Sequence, residues 1–229
     1  MTEPTALRVV MLGATGAVGN HAARTLASMD TVRHLTVLGR RDAEGLARPH
    51  VTQHRVDVLD PATYRQHLRD HHAAVCCLGV GEPSKVSREQ FLAVDKDAVL
   101  AFATACNEAG VRHFELLSSV GVDSRSRTFY LRAKGELEDG LRALGFERLS
   151  LFHPSMILTP ENRYGFSQAV TLAVWPKLTP LLGGSLRKLR GIPVAQLGAA
   201  MARNVATAGA GEETLEWDAI VKLAARVPG

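Results

Sequence analysis

A tyrosine and a lysine four residues apart, Tyr130 and Lys134, follow a serine pair in the segment HFELLSSVGVDSRSRTFYLRAK. Residues i and i+4 share a helix face, so the Lys134 ammonium can stand near the Tyr130 phenol. A positive charge there stabilises a phenolate and suits the tyrosine to proton transfer near neutral pH. A serine hydroxyl at a strand end, Ser119, can hold a carbonyl oxygen while hydride moves. Together the three types describe reduction of a carbonyl-like group, with Tyr130 as proton donor. Tyr-x-x-x-Lys is common in helices. It gains weight here from lying eleven residues after Ser119, at the edge of a sheet that also carries a nucleotide-binding turn.

That turn is LGATGAVGN, placed directly after the apolar run LRVVML. Leu7, Val9, Val10, Met11 and Leu12 read as a parallel strand buried on both faces. Gly13 allows the tight turn, Gly16 lets the backbone approach a pyrophosphate, and Gly19 lets the new helix pack closely. Free N–H groups at Ala17 and Val18, where the helix begins, favour an anion. After the second strand come Gly39, Arg40 and Arg41. Two guanidinium forks suit a 2′-phosphate, which makes NADP (as NADPH) the expected cofactor, with Thr15 adding a hydroxyl contact. Asp42, beside them, opposes that reading. Asp57 and Val58, after the third strand, are placed to meet adenine, and Leu78 and Gly79 to let the backbone pass the cofactor ribose.

The elements that must position these groups alternate. Strands are predicted at 34–39, 51–59, 73–78, 113–119 and 147–152, and helices at 17–28, 61–71, 88–109 and from Tyr130 to Leu144. This pattern specifies an α/β fold: a Rossmann-like doubly wound parallel sheet with a small C-terminal substrate-covering region. One domain over 1–229 is expected, with 1–154 as the cofactor-binding core and 155–229 facing substrate or partner. Within the latter, Tyr164, Phe166, Trp175 and Leu182 are suited to wall a pocket or a partner-binding groove.

The 229 residues are 46% hydrophobic and 22% charged, enough for one substantial core. The net charge of +4 comes from scattered basic residues, and only 5% of the chain is aromatic, which argues against a nucleic-acid surface. Cys76, Cys77 and Cys106 are expected to be buried reduced thiols. The N-terminus MTEPTALRVV lacks the basic and apolar regions of a secretory signal, so a cytoplasmic location is expected. The apolar region 166–182 is broken by Pro176, Lys177 and Pro180, so no integral membrane segment is expected. His67, His71 and His72 lack further ligands at motif spacing, and no metal site is expected. Nothing in the sequence bears on oligomeric state.

With its GATGAVG turn, the chain resembles the extended or atypical branch of the short-chain dehydrogenase/reductase superfamily. VCCLGVG at 75–81, FLAVDKDAVL at 91–100, HFELLSSVGVD at 113–123, YLRAKGELE at 130–138 and IPVAQLGAAMARNV at 192–205 are similar to the Tat-interacting-protein family of oxidoreductase-like proteins. The resemblance implies NADPH binding, with Ser119, Tyr130 and Lys134 on the superfamily's catalytic positions and Pro154 where a proline loop lies against the nicotinamide. It also implies two alternatives for function: a reductase of a small-molecule substrate, or an NADPH-sensing regulator with a protein partner. Many superfamily members carry an asparagine after the fourth strand that supports the lysine through water. Here Val94 and Asp95 stand in that segment, so that relay is not implied. Ala195, Gln196 and Leu197 replace the early acidic residue of extended members, which weakens any carry-over of sugar-nucleotide substrates.

Overall fold

The computed structural model describes residues 6–159 and 182–226. Seven parallel strands form its main sheet: β1 (Leu7–Leu12), β2 (Val32–Gly39), β3 (Val51–Arg55), β4 (Ala73–Cys76), β5 (His113–Leu117), β6 (Arg148–Phe152) and, beyond a small pair, β9 (Gly211–Leu215). Their order is β3-β2-β1-β4-β5-β6-β9, so the chain reverses direction across the sheet between β1 and β4. In such sheets ligands bind at the carboxyl ends of the strands, beside this switch point. The small pair is β7 (Ile157–Leu158) with β8 (Ile192–Pro193), also parallel.

Helices cover both faces. On one side α1 (Ala17–Leu26), α5 (Val194–Val205) and α6 (Trp217–Ala224) share a core with Val9, Met11, Leu35, Val37 and Val75. On the other, α3 (Ala98–Glu108) and α4 (Phe129–Ala143) pack with Val10, Leu12, Ala74, Phe114 and Leu116. Alternate residues of each central strand serve the two cores, which is why these strands read as unbroken apolar runs. A short helix α2 (Arg88–Leu92) runs into α3 through a π-helical turn at Ala93–Asp97. Ser87 starts α2 with a capping box: its hydroxyl accepts the Gln90 N–H, and the Gln90 side chain accepts the Ser87 N–H.

Several sequence expectations change. The polar helix expected over 61–71 is instead two 3-10 turns, at Pro61–Thr63 and Arg65–His67. Asp60 caps the first, and the fully buried Tyr64 and Leu68 tie the segment to the core, so packing rather than helical periodicity sets its path. His71 and His72 are structural: His71 bonds the Thr36 hydroxyl and the Leu68 carbonyl, and His72 Nδ1 accepts the Arg8 N–H. The third strand stops at Arg55 rather than at 59. The C-terminal region supplies β9, which extends the sheet, and α5 and α6, which build one core. Tyr164, Phe166 and Trp175 lie outside the described residues. All three cysteines are free, but only Cys76 and Cys106 are fully buried; Cys77 borders the cleft described below. Burial of its sulfur still pushes the Cys77 thiol well above the usual range.

Candidate active site

β1 delivers the chain into the glycine turn. Gly13 has φ +91, a conformation that a side chain strains, and a Cβ there would lie 2.4 Å from the Cys77 carbonyl carbon. A Cβ at Gly19 would lie 2.1 Å from the Gly13 oxygen. Turn, helix start and the end of β4 are thus in backbone contact, which only glycine permits. Gly16 is the N-cap of α1, and no side chain caps that helix. Its first N–H groups are left for an anion, the arrangement that a dinucleotide pyrophosphate uses.

Three adjoining cavities form a cleft along the carboxyl edge of the sheet. One, of about 540 Å³, is lined by Gly13, Thr15, Gly16, Ala17, Arg40, Arg41, Val58, Leu78 and Gly79 among others. A polar one of about 570 Å³ shares Thr15, Gly16, Ala17 and Arg41 with it and adds Arg24 together with Asp42 and Glu44. The third, of about 470 Å³, runs from Gly16, Ala17, Val18 and Gly19 past Leu78 and Gly79 to Tyr130 and Lys134. The donor set therefore fits a nicotinamide dinucleotide: cations at one end, an uncapped helix start in the middle, a Tyr/Lys pair at the other. Asp42 does not oppose the arginines, because Arg55 holds its carboxylate through two hydrogen bonds of 3.1 and 2.7 Å. That contact also holds its carboxyl below the usual range.

Three expected residues lie off the cleft lining. Asp57 is exposed and accepts the Leu59 N–H at 2.9 Å. Pro154 is buried, and its carbonyl accepts the Val120 N–H. Ser119 is half-buried, whereas its neighbour Ser118 lines the cavity with Tyr130 and Lys134. The Ser118 hydroxyl donates to Glu138 Oε1 at 2.5 Å, and His153 Nε2 donates to the same oxygen at 2.7 Å. A hydroxyl hydrogen spent on a carboxylate is not available to a carbonyl oxygen.

Tyr130 and Lys134 occupy adjacent turns of α4, with the Tyr130 ring against Phe91 at 5.6 Å. Lys134 is 4% exposed and its ammonium meets Asp95, which is not among the expected site residues, at 3.0 Å. Asp95 projects from the π-helical turn, and its other oxygen accepts the Val80 N–H at 2.8 Å. The available signal was a carboxylate at the position where relatives in the superfamily carry an amide.

Compared with known proteins, residues 13–166 match the family described as NAD(P)H-binding. The chain belongs to this NAD(P)H-binding family. Protein HTATIP2 of Rattus norvegicus is 34% identical over 220 residues, covering 94% of this chain and 88% of that protein, in agreement with the resemblance drawn from the motifs. Protein fmp52, mitochondrial, of Emericella nidulans is 30% identical over 154 residues, 65% of this chain and 66% of that one. Among solved structures, MoeE5 with UDP-glucuronic acid and NAD superposes with a TM-score of 0.70 at 17% identity, covering 91% of this chain and 75% of that one. Bordetella bronchiseptica WbmH with NAD+ gives 0.66, also at 17%, covering 92% and 75%. At that identity the agreement concerns the fold, which is Rossmann-like and shared with this family of dinucleotide-binding proteins. No helix among the described residues is long and apolar enough to cross a membrane.

Proposed function

We propose that this protein is an NADPH-dependent oxidoreductase that reduces a carbonyl-like small molecule. The observation that carries this reading is the placement of Tyr130 and Lys134 on one wall of a cleft whose opposite end holds Arg40 and Arg41. When bound, the nicotinamide supplies hydride. Tyr130 donates the proton to the carbonyl oxygen, and Lys134 holds the ribose. Arg40 and Arg41, with Thr15 of the glycine turn, receive the 2′-phosphate. The serine that orients the carbonyl was expected to be Ser119; Ser118 is the one on the cavity wall, and comparing Ser118→Ala with Ser119→Ala assigns the role.

A second reading has an observation of its own. Because the Ser118 hydroxyl is committed to Glu138 and Ser119 lies off the lining, the cleft is better equipped to hold a cofactor than to orient a substrate. That favours an NADPH-sensing protein that passes occupancy to a protein partner. The two are separated by following NADPH oxidation across aldehydes, ketones and quinones. Turnover that Tyr130→Phe abolishes, with cofactor affinity kept, supports the enzyme; binding without any Tyr130-dependent oxidation sinks it in favour of the sensor. The free cysteines fit a reducing compartment, and the cytoplasm is the location we propose. Cell fractionation tests it, since a mitochondrial signal is what the names of the fungal relatives lead one to look for.

A further inference from the structure

Asp95 and Lys134 are the only charged side chains among the described residues that line the Tyr130 cavity. Both are almost completely buried, at 5% and 4% exposure, and their charges meet at 3.0 Å. Burying two ions costs more than their attraction returns unless further hydrogen bonds satisfy them. Asp95 has such a bond, to the Val80 N–H in the turn after β4. Gly79 makes room for it, since a Cβ there would come within 3.0 Å of Asp95 Oδ1. The π-helical turn re-aims the helix surface at this one point, a feature that recurs at functional sites. Three separate devices therefore serve one carboxylate.

We infer that Asp95 is a charge-balancing positioning residue: it pins the Lys134 ammonium to the β4 turn and cancels its charge, so that the cavity accepts the cationic, oxidised nicotinamide as well as the neutral, reduced one. The inference rests on the reading that this cleft holds a nicotinamide cofactor. A lone ammonium in a partly desolvated cavity would repel a pyridinium, because Coulomb interactions strengthen as the local dielectric falls. Paired with Asp95, the same ammonium can still hydrogen-bond a ribose without adding net charge. The device acts on the difference between two redox states, a quantity that simple loss of structure does not move in one direction.

The test is a binding measurement on the full-length protein, with NADP+ and NADPH titrated by calorimetry into wild type, Asp95→Asn, Lys134→Gln and the double variant. In Asp95→Asn the preference for NADPH over NADP+ should rise about tenfold, equivalent to about 1.4 kcal/mol. The double variant, which removes both charges, should return the ratio to within about twofold of wild type; Lys134→Gln, which leaves the Asp95 carboxylate alone, should move the ratio toward NADP+, and its failure to do so would overturn the inference even where an unpaired Lys134 unfolds the single variant. An unchanged ratio in Asp95→Asn, or equal weakening for both forms, would overturn the inference and leave Asp95 a structural anchor. Failure of the double variant to restore the ratio would overturn it too. If wild type binds neither form, the cofactor reading itself falls, and this inference with it; binding of both forms with an unmoved ratio sinks the inference alone.

Discussion

Strand β5 separates two buried polar clusters that use similar residues for different ends. Just past its end, Ser118 meets Glu138 and His153, next to the Asp95–Lys134 pair and the open cleft. At its start, His113 and Glu115 meet Ser150 on β6, Asn204 on α5, and through them Glu213 on β9 and Arg148. Arg148 donates to Glu213 at 2.6 Å, to Asn204 Oδ1 at 3.0 Å and to the Thr207 hydroxyl at 2.8 Å. The second cluster includes serine, histidine and glutamate within hydrogen-bond reach, a set that on paper resembles a nucleophile and its base. None of its members lines the cleft. Burial pushes the His113 imidazole down to about 3, with the Arg148 charge adding to the effect, and pushes the Glu115 carboxyl well above the carboxylate range. Although His113 and Glu115 approach to 3.5 Å, the imidazole is neutral near pH 7 and burial disfavours the charged form of Glu115 as well, so the contact is not an ion pair. A perturbed group marks a functional site only where a ligand can reach it. The sealed cluster joins β5, β6 and β9 to α5; the open one is placed to act on a ligand.

Four measurements would break or sharpen that contrast. Tyr130→Phe, on the open side, should lower turnover about a thousandfold, roughly 4 kcal/mol, while leaving cofactor affinity and the melting temperature unchanged. Arg148→Ala, on the sealed side, should do the reverse. It strips the buried Asn204 and the half-buried Glu213 and Thr207 of a shared donor, so about 2 kcal/mol of stability and roughly 6 °C in melting temperature should go, with little effect on cofactor binding per folded molecule. A large change in NADPH affinity in that variant, measured on folded protein, would show that the two clusters are coupled.

The third measurement uses pH. Because His113 is depressed in the folded state, the unfolded chain binds its proton first, near pH 6.5. Its contribution is complete above that pH and is lost as the pH falls toward about 3, at on the order of 1 kcal/mol per unit. Glu115 has the opposite sign: raised in the folded state, it contributes fully below about 4.5, its usual value, and that contribution is lost as pH rises. Glu115→Gln, which cannot ionise, should melt like wild type at pH 5 and higher than wild type at pH 9. Equal melting at both would remove the argument for a raised Glu115 carboxyl. The smallest expected effect belongs to Arg40→Ala with Arg41→Ala, about tenfold in the preference for NADPH over NADH, read by competitive titration. A double variant that kept the preference would shift the 2′-phosphate contact to Arg24 and Thr15 in the neighbouring cavity.

Much of this architecture was legible in the sequence because the central strands are buried on both faces and the glycines sit where backbones touch. LRVVML and AAVC carry their burial in their composition, and Gly13 and Gly19 carry theirs in spacing. The edge strand β9 was not legible: GEETL is polar and largely exposed, and it owes its place to pairing with β6 and to Glu213 on Arg148 rather than to apolar alternation. The segment 61–71 misled for a related reason, since a few buried anchors fixed a path that its polar residues did not encode. At the site, Tyr130 and Lys134 followed from helical spacing. Asp95 did not follow from spacing, because a regular helix through 88–109 does not distinguish the two aspartates in VDKD, and only the resemblance pointed to that segment.

The π-helical turn makes the length of the chain at Ala93–Asp97 part of its chemistry. Such a turn closes i to i+5 hydrogen bonds and so holds one residue more than an α-turn. Deleting Lys96 would let α2 and α3 merge into one continuous α-helix, a locally favourable change. Because the π-turn absorbs its extra residue, the turns on either side would keep their faces, and Phe91 would stay on the Tyr130 ring. What would go is the outward step of backbone that carries Asp95 to Lys134 and Val80. A one-residue gap would here regularise the helix while withdrawing the carboxylate from the wall of the cleft.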